Sequence, residues 1–211
     1  MSADAFGLWA AVVAAGLWHG LNPGMGWPLA VSAGLMGRGR RDVAVALAPL
    51  ALGHLLSMLA VLLPFALVSA LLVHEREIRL AAGGLVVLGG LVLLARRGRH
   101  PRALARIPPS RLALWSFAVA LAHGAGLMLL PLYLGICATL PGGASALAAD
   151  GGAALAVALV HTGAMIGAGG IVALLVHSWL GLGFLKASWF NLDAVWAGSL
   201  VLVGLAALLA A

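Results

Sequence analysis

The chain has 211 residues, 64% of them hydrophobic and 9% charged, with a mean hydropathy of +1.13. So few polar residues cannot cover a water-soluble core, which excludes a soluble globular domain and makes this an all-α, polytopic membrane protein. The formal charge of +6 would point to nucleic acid in a soluble protein, but here the basic residues flank apolar runs, where they set membrane orientation, so no nucleic-acid partner is expected.

The first apolar run extends from about Ala5 to Met36, too long for one plain crossing. It is interrupted at Trp18-His19-Gly20-Leu21-Asn22-Pro23-Gly24-Met25-Gly26-Trp27-Pro28. Pro23 lacks an amide donor and biases Asn22 away from helical angles, while the glycines permit close approach. A broken helix within hydrocarbon is tolerated only where protein encloses it, so Asn22, Pro23 and Gly24 are read as part of a substrate pathway, although Asn-Pro-Gly is also an ordinary turn signal. The run opens with Ser2 and Asp4 instead of a basic segment and does not read as a cleavable signal.

A basic turn, Arg38 to Asp42, leads to a second span of about Val43 to Val73 carrying Pro49 and Pro64. The third, about Leu80 to Ala95, is short and holds the pairs Gly83-Gly84 and Gly89-Gly90, which suit close helix packing. Residues 96–111 form a basic linker with Pro101, Pro108 and Pro109. The fourth span, about Leu112 to Leu140, contains His123-Gly124-Ala125-Gly126 and Pro131. The fifth runs from about Gly151 to Val176 and includes Gly163-x-x-x-Gly167, a helix-packing motif. An interfacial stretch, His177 to Phe190, with Trp179, Lys186 and Trp189, precedes a sixth span of about Leu192 to Ala211, which Asn191 and Asp193 cap.

Of the twelve Lys and Arg residues, Arg38, Arg40, Arg41, Arg96, Arg97, Arg99, Arg102, Arg106, Arg111 and Lys186 fall on one side of this map, and only Arg76 and Arg79 on the other. That bias places the protein in the cytoplasmic (inner) membrane with the linker inside and both termini outside the cytoplasm. The linker divides residues 1–95 from 112–211. Each half holds three spans, an odd number, so related halves would be inverted, as in transporters whose broken helices form a site near mid-membrane.

The halves share a sign. Four spans place a methionine shortly after a histidine: His19 with Met25, His54 with Met58, His123 with Met128, and His161 with Met165. The second and fifth spans share His-x-x-x-Met, which sets both side chains on one helix face. Imidazole suits Zn, Cu, Ni and Co, and thioether favours Cu(I), so all eight residues are candidate metal ligands. A methionine in an apolar helix is usually adaptable packing. An intramembrane histidine is costlier and marks a pathway, a relay or a ligand more often, its structural role being an interhelical hydrogen bond. Ser57 and Thr162, beside two of these histidines, are read as bonding to backbone or across helices. Cys137, the only cysteine, leaves no internal disulfide and no Cys-cluster zinc site; it is read as a small apolar residue. His74, His100 and His177 lie at membrane ends.

The stretch His19-Gly20-Leu21-Asn22-Pro23-Gly24-Met25-Gly26-Trp27, followed by Ala33-Gly34-Leu35-Met36-Gly37-Arg38-Gly39 and Gly53-His54, resembles the first conserved region of the NicO-type nickel/cobalt efflux proteins. That region reads roughly His-Ala-Leu-x-Pro-Gly-His-Gly-Lys with a later Ser/Thr-His. His19, Leu21, Pro23, Gly24, Gly26 and His54 match, whereas Met25 stands for the second histidine and Trp27 for the lysine. The likeness covers about the first third of the chain; beyond it lies only the three-plus-three plan of the wider LysE-type superfamily. It implies a transition-metal carrier, and the entry of a softer ligand moves the expected ion away from nickel or cobalt.

The sequence therefore predicts six membrane helices in two inverted three-helix repeats, moving a transition-metal cation (Ni, Co, Cu or Zn) through a histidine-rich site. No nucleotide-binding Gly-x-x-x-x-Gly-Lys-Ser/Thr is present. A transporter is favoured over an enzyme, and no catalytic residue is assigned. The other classes in view are a membrane-embedded metalloenzyme or metal-delivery factor and an exporter of a small organic solute. Assembly with a second copy or a partner subunit stays open.

Overall fold

A computed structural model describes residues 3–37, 39–67, 75–95, 109–139 and 147–180, with isolated helical residues between 198 and 209. The described residues are helical throughout their regular structure and contain no strand. The helices are α1 (Ala3–Leu21), α2 (Trp27–Gly37), α3 (Arg40–Leu67), α4 (Glu75–Ala95), α5 (Leu112–Ala122), α6 (Ala125–Ala138) and α7 (Leu147–Leu175). Short 3-10 turns at Pro23–Met25 and Pro109–Arg111 precede α2 and α5, and a π turn at Val176–Leu180 closes α7.

Three helical segments are long and apolar enough to cross a membrane: Ala3–Leu21, Arg40–Ala66 and Gly151–Trp179. A fourth crossing arises if Leu112–Leu121 and Ala125–Ala138, bent by 65° at their junction, are taken together. Large apolar side chains on these helices point outward, among them Phe6, Leu52, Leu114, Leu159 and Ile171. Water would not tolerate such surfaces, but lipid does, so this is a helical membrane protein. The expected third span differs in detail: α4 starts at Glu75, but its apolar portion, Leu80–Val92, is shorter than a crossing. The linker 96–108, the loop 140–146, the segment 181–197 with Lys186, Trp189 and Asp193, and most of the sixth expected span lie outside the described residues.

Packing sets the direction of each helix. Gly16 of α1 lies against the backbone of His161, and Gly20, one turn on, against that of Met165; a Cβ at either would collide with a carbonyl oxygen of α7. Sequence position rises together on both helices, so α1 and α7 are parallel. Leu47 of α3 reaches Gly170 while His54 meets His161, so α3 runs antiparallel to α7. Gly53 abuts Ala113 and Val61 abuts Gly126, so α3 runs in the same direction as α5 and α6. The Ser116 hydroxyl donates to the Leu50 carbonyl over 2.7 Å and ties α5 to α3.

These contacts rest on small residues at the meeting points, where van der Waals packing replaces the hydrophobic effect as the cohesive force. The motif picked from sequence, Gly163-x-x-x-Gly167, does not serve this purpose among the described residues: both glycines are exposed and neither has a neighbour within 4 Å. Gly16-x-x-x-Gly20 does it instead. In α4, Gly83 touches Gly204 of the C-terminal residues, while Gly84 and Gly89 face open space.

Candidate metal site

The break between α1 and α2 falls where Pro23 predicts it, and the backbone there is largely satisfied. Asn22 is extended (φ −72°, ψ 123°) and caps the 3-10 turn, its Oδ1 accepting from the Gly24 amide at 2.9 Å. The Met25 and Gly26 amides donate to the Asn22 and Pro23 carbonyls, and the Trp27 indole donates to the Leu21 carbonyl. Gly26, at φ 102°, supplies the left-handed turn that starts α2. Asn22 therefore holds the turn with the oxygen that would otherwise be offered to a cation.

One turn before that break, His19 meets two other histidines. The ring centres of His19 and His161 are 5.0 Å apart, those of His19 and His54 5.6 Å, and those of His54 and His161 5.5 Å. His54 and His161 are nearly parallel, with planes 17° apart, while His19 stands edge-on to both. All three are buried, at 0 to 1% exposure. Each helix contributes one ring: α1 and α7 approach closely because Gly16 lacks a side chain beside His161, and α3 crosses both at the level of His54.

At and beside the trio lie buried polar atoms without partners. Among the described residues the His54 Nε2, the Ser57 hydroxyl one turn along α3 and the Thr162 hydroxyl beside His161 have no hydrogen-bond partner. Among the described residues the two hydroxyls thus form neither the backbone nor the interhelical bonds expected of them. Each unsatisfied buried group costs about 1–3 kcal/mol, so their collection in one layer is a feature that packing alone does not explain. His123 is placed differently. It ends α5 at the 65° bend, half-buried, with Nδ1 2.8 Å from the Val119 carbonyl one turn earlier. A carbonyl only accepts, so in the neutral ring the proton sits on Nδ1 and the lone pair on Nε2. The three ring pairs described above join His19, His54 and His161.

The methionines sort in another way. Met25, Met128 and Met165 pack together with Val86, while Met58 joins a separate core of Val12, Leu62, Leu129 and Tyr133. Antiparallel α3 and α7 explain the split: one turn onward from His161 leads to Met165, and one turn onward from His54 leads to Met58 on the opposite side of the histidine layer. The four methionines of the His-Met pairs read from the sequence thus do not gather in one cluster. Cys137 is buried in the Met58 core, away from the three-methionine cluster.

Three imidazoles bound to one ion, with metal–nitrogen bonds of about 2.0–2.1 Å and ring centres about 1 Å beyond, have ring centres roughly 5–5.5 Å apart at tetrahedral or trigonal angles. The observed separations lie in or next to that range. The nitrogens do not yet converge: among the described residues no three His, Cys, Asp or Glu side chains have the arrangement of a metal-holding group. Spacing is met, and ring orientation is not. Comparison of the chain with protein families, curated proteins and solved structures returns no match.

Proposed function

We propose that this chain is a membrane transporter of a transition-metal cation, with His19, His54 and His161 as the core of its binding site. The observation that carries this reading is the convergence of three buried imidazoles, from three helices, at a spacing suited to one ion. Intramembrane histidines are costly unless used, and the His54 Nε2 and the Ser57 and Thr162 hydroxyls, without hydrogen-bond partners among the described residues, are free to coordinate. The cation is the cargo. Binding of one ion by all three rings would require them to rotate about their side-chain torsions until their nitrogens converge.

Six crossings in two inverted repeats, 1–95 and 112–211, provide the frame for this reading. Helix pairing supports it: α1 packs along α7 and α5 along α3, the exchange expected if the first and second crossings of one half correspond to those of the other. The corresponding histidines support it too, since His19 turns toward the Ala15 carbonyl as His123 turns toward Val119, each one turn back. The likeness of His19 to Gly26 and of His54 to the nickel/cobalt efflux proteins points to the same cargo class. Basic-residue bias favours the inner membrane with both termini outside the cytoplasm.

Elemental analysis and titration of the purified protein with Ni(II), Co(II), Zn(II) and Cu(I) test the assignment. The expected result is near-stoichiometric uptake of at least one ion, lost in His54→Ala and His161→Ala while both variants remain monodisperse. Equal uptake by wild type and variants removes the histidines from the site.

A further inference from the structure

Met25, Met128 and Met165 come from three separate elements, the turn after α1, α6 and α7, and meet in one buried cluster. The whole chain has only six methionines; Met1 is the first residue, Met36 is largely exposed, and Met58 lies beyond the histidine layer. In a chain filled with Leu, Val and Ala, three flexible side chains gathered at one point are not needed for packing, because Leu fills the same volume with better-defined rotamers. Their position is specific. Met165 lies one helical turn from His161, so the methionine layer adjoins the histidine layer. Met25 sits in the unwound turn itself, and Met25 and Met165 together with Gly20 and Trp27 line a small cleft beside the break.

We infer that Met25, Met128 and Met165 form a second ligand station, one turn from the histidine trio, and that the cargo is a soft monovalent ion of the Cu(I) type. The inference rests on the transporter reading and narrows its substrate class. Thioether sulfur is neutral, soft and polarizable; it binds Cu(I) or Ag(I) well and hard or borderline divalent ions poorly. A neutral three-sulfur station desolvates a monovalent cation at less electrostatic cost than a divalent one, since that cost rises with the square of the charge. Imidazole also accepts Cu(I), so an ion can pass between the layers by exchanging one ligand at a time. Met58, on the far side of the histidines and surrounded by Leu62, Leu129 and Tyr133, belongs to the packing core.

Ag(I), which does not change oxidation state, is the probe. Isothermal titration of the full-length protein in detergent should show Ag(I) binding that weakens by about tenfold or more in Met25→Leu, Met128→Leu and Met165→Leu, the size expected from loss of a ligand. Met58→Leu should match wild type. X-ray absorption on Cu(I)-loaded wild type, which needs no variant, should show sulfur in the first shell. A nitrogen-only shell, or unchanged Ag(I) affinity in all three Leu variants, overturns the methionine station; if His54→Ala still abolishes binding, the transporter reading survives that result. Absence of binding by any ion in wild type overturns both.

Discussion

His54 and His161 lie almost face to face, their ring planes 17° apart and centres separated by 5.5 Å, where α3 and α7 cross in opposite directions. Both rings are fully buried, and the His54 Nε2 has no hydrogen-bond partner among the described residues. A group kept for binding at the expense of stability has a measurable signature. His54→Leu should leave the detergent-solubilised protein folded, with thermal stability unchanged or raised by about 1 kcal/mol, because an unsatisfied polar atom is removed. A loss of several kcal/mol in thermal or denaturant unfolding would instead make His54 a structural residue.

Gly16 and Gly20 set how near α1 can come to the site. A Cβ would lie 2.5 Å from the His161 carbonyl oxygen at the first and 2.2 Å from that of Met165 at the second. Gly16→Val or Gly20→Val should therefore destabilise by about 3 kcal/mol or more, since backbone and not a flexible side chain must yield. Gly163→Ala and Gly167→Ala, with open space around them, should lie within about 0.5 kcal/mol of wild type or gain slightly from helix propensity. Thermal unfolding of the four variants checks both statements, and equal effects at the two glycine pairs would contradict the packing described.

Much of this was legible in the sequence, and the part that was not has a geometric cause. Composition, the break at Pro23 and the four intramembrane histidines His19, His54, His123 and His161 follow from residue chemistry alone; which of their rings meet does not. The division of the methionines between two clusters does not either, because spacing along one helix is silent about the direction of its neighbour; antiparallel α3 and α7 send Met58 and Met165 to opposite sides. The same blindness made Gly163 and Gly167 look like the packing motif, when the face that meets another backbone carries Gly16 and Gly20. His123 repeats the His-Gly pattern of His19 but ends its helix at a bend, where its Nδ1 meets the Val119 carbonyl.

That placement gives His123 a different expected role. Its Nδ1 bond to the Val119 carbonyl closes the end of α5, so His123→Ala should cost about 1 kcal/mol of stability and leave stoichiometric metal binding in place. Titration of His123→Ala beside His161→Ala separates the two. Complete loss of binding in His123→Ala would make the site a four-histidine one.

The turn after α1 can be tested apart from the metal. Asn22→Asp keeps an oxygen for the Gly24 amide and should retain stability, whereas Asn22→Ala should lose about 1 kcal/mol. Gly26→Ala should lose more, because φ 102° is strained for any Cβ and the methyl would meet Leu50 and Trp115. If Asn22→Asp alters ion affinity without altering stability, Asn22 is a ligand and not a cap.

Flux through the reconstituted protein is the most direct test of the central claim. Proteoliposomes enclosing a metal-sensitive dye, with an inward gradient of Ni(II), Zn(II) or, under reducing conditions, Cu(I), should report protein-dependent entry of at least one ion, abolished in His54→Ala and His161→Ala and preserved in Gly163→Ala. Stoichiometric binding by the wild type without any flux, or flux indifferent to the loss of both histidines, would contradict transport through the imidazole trio.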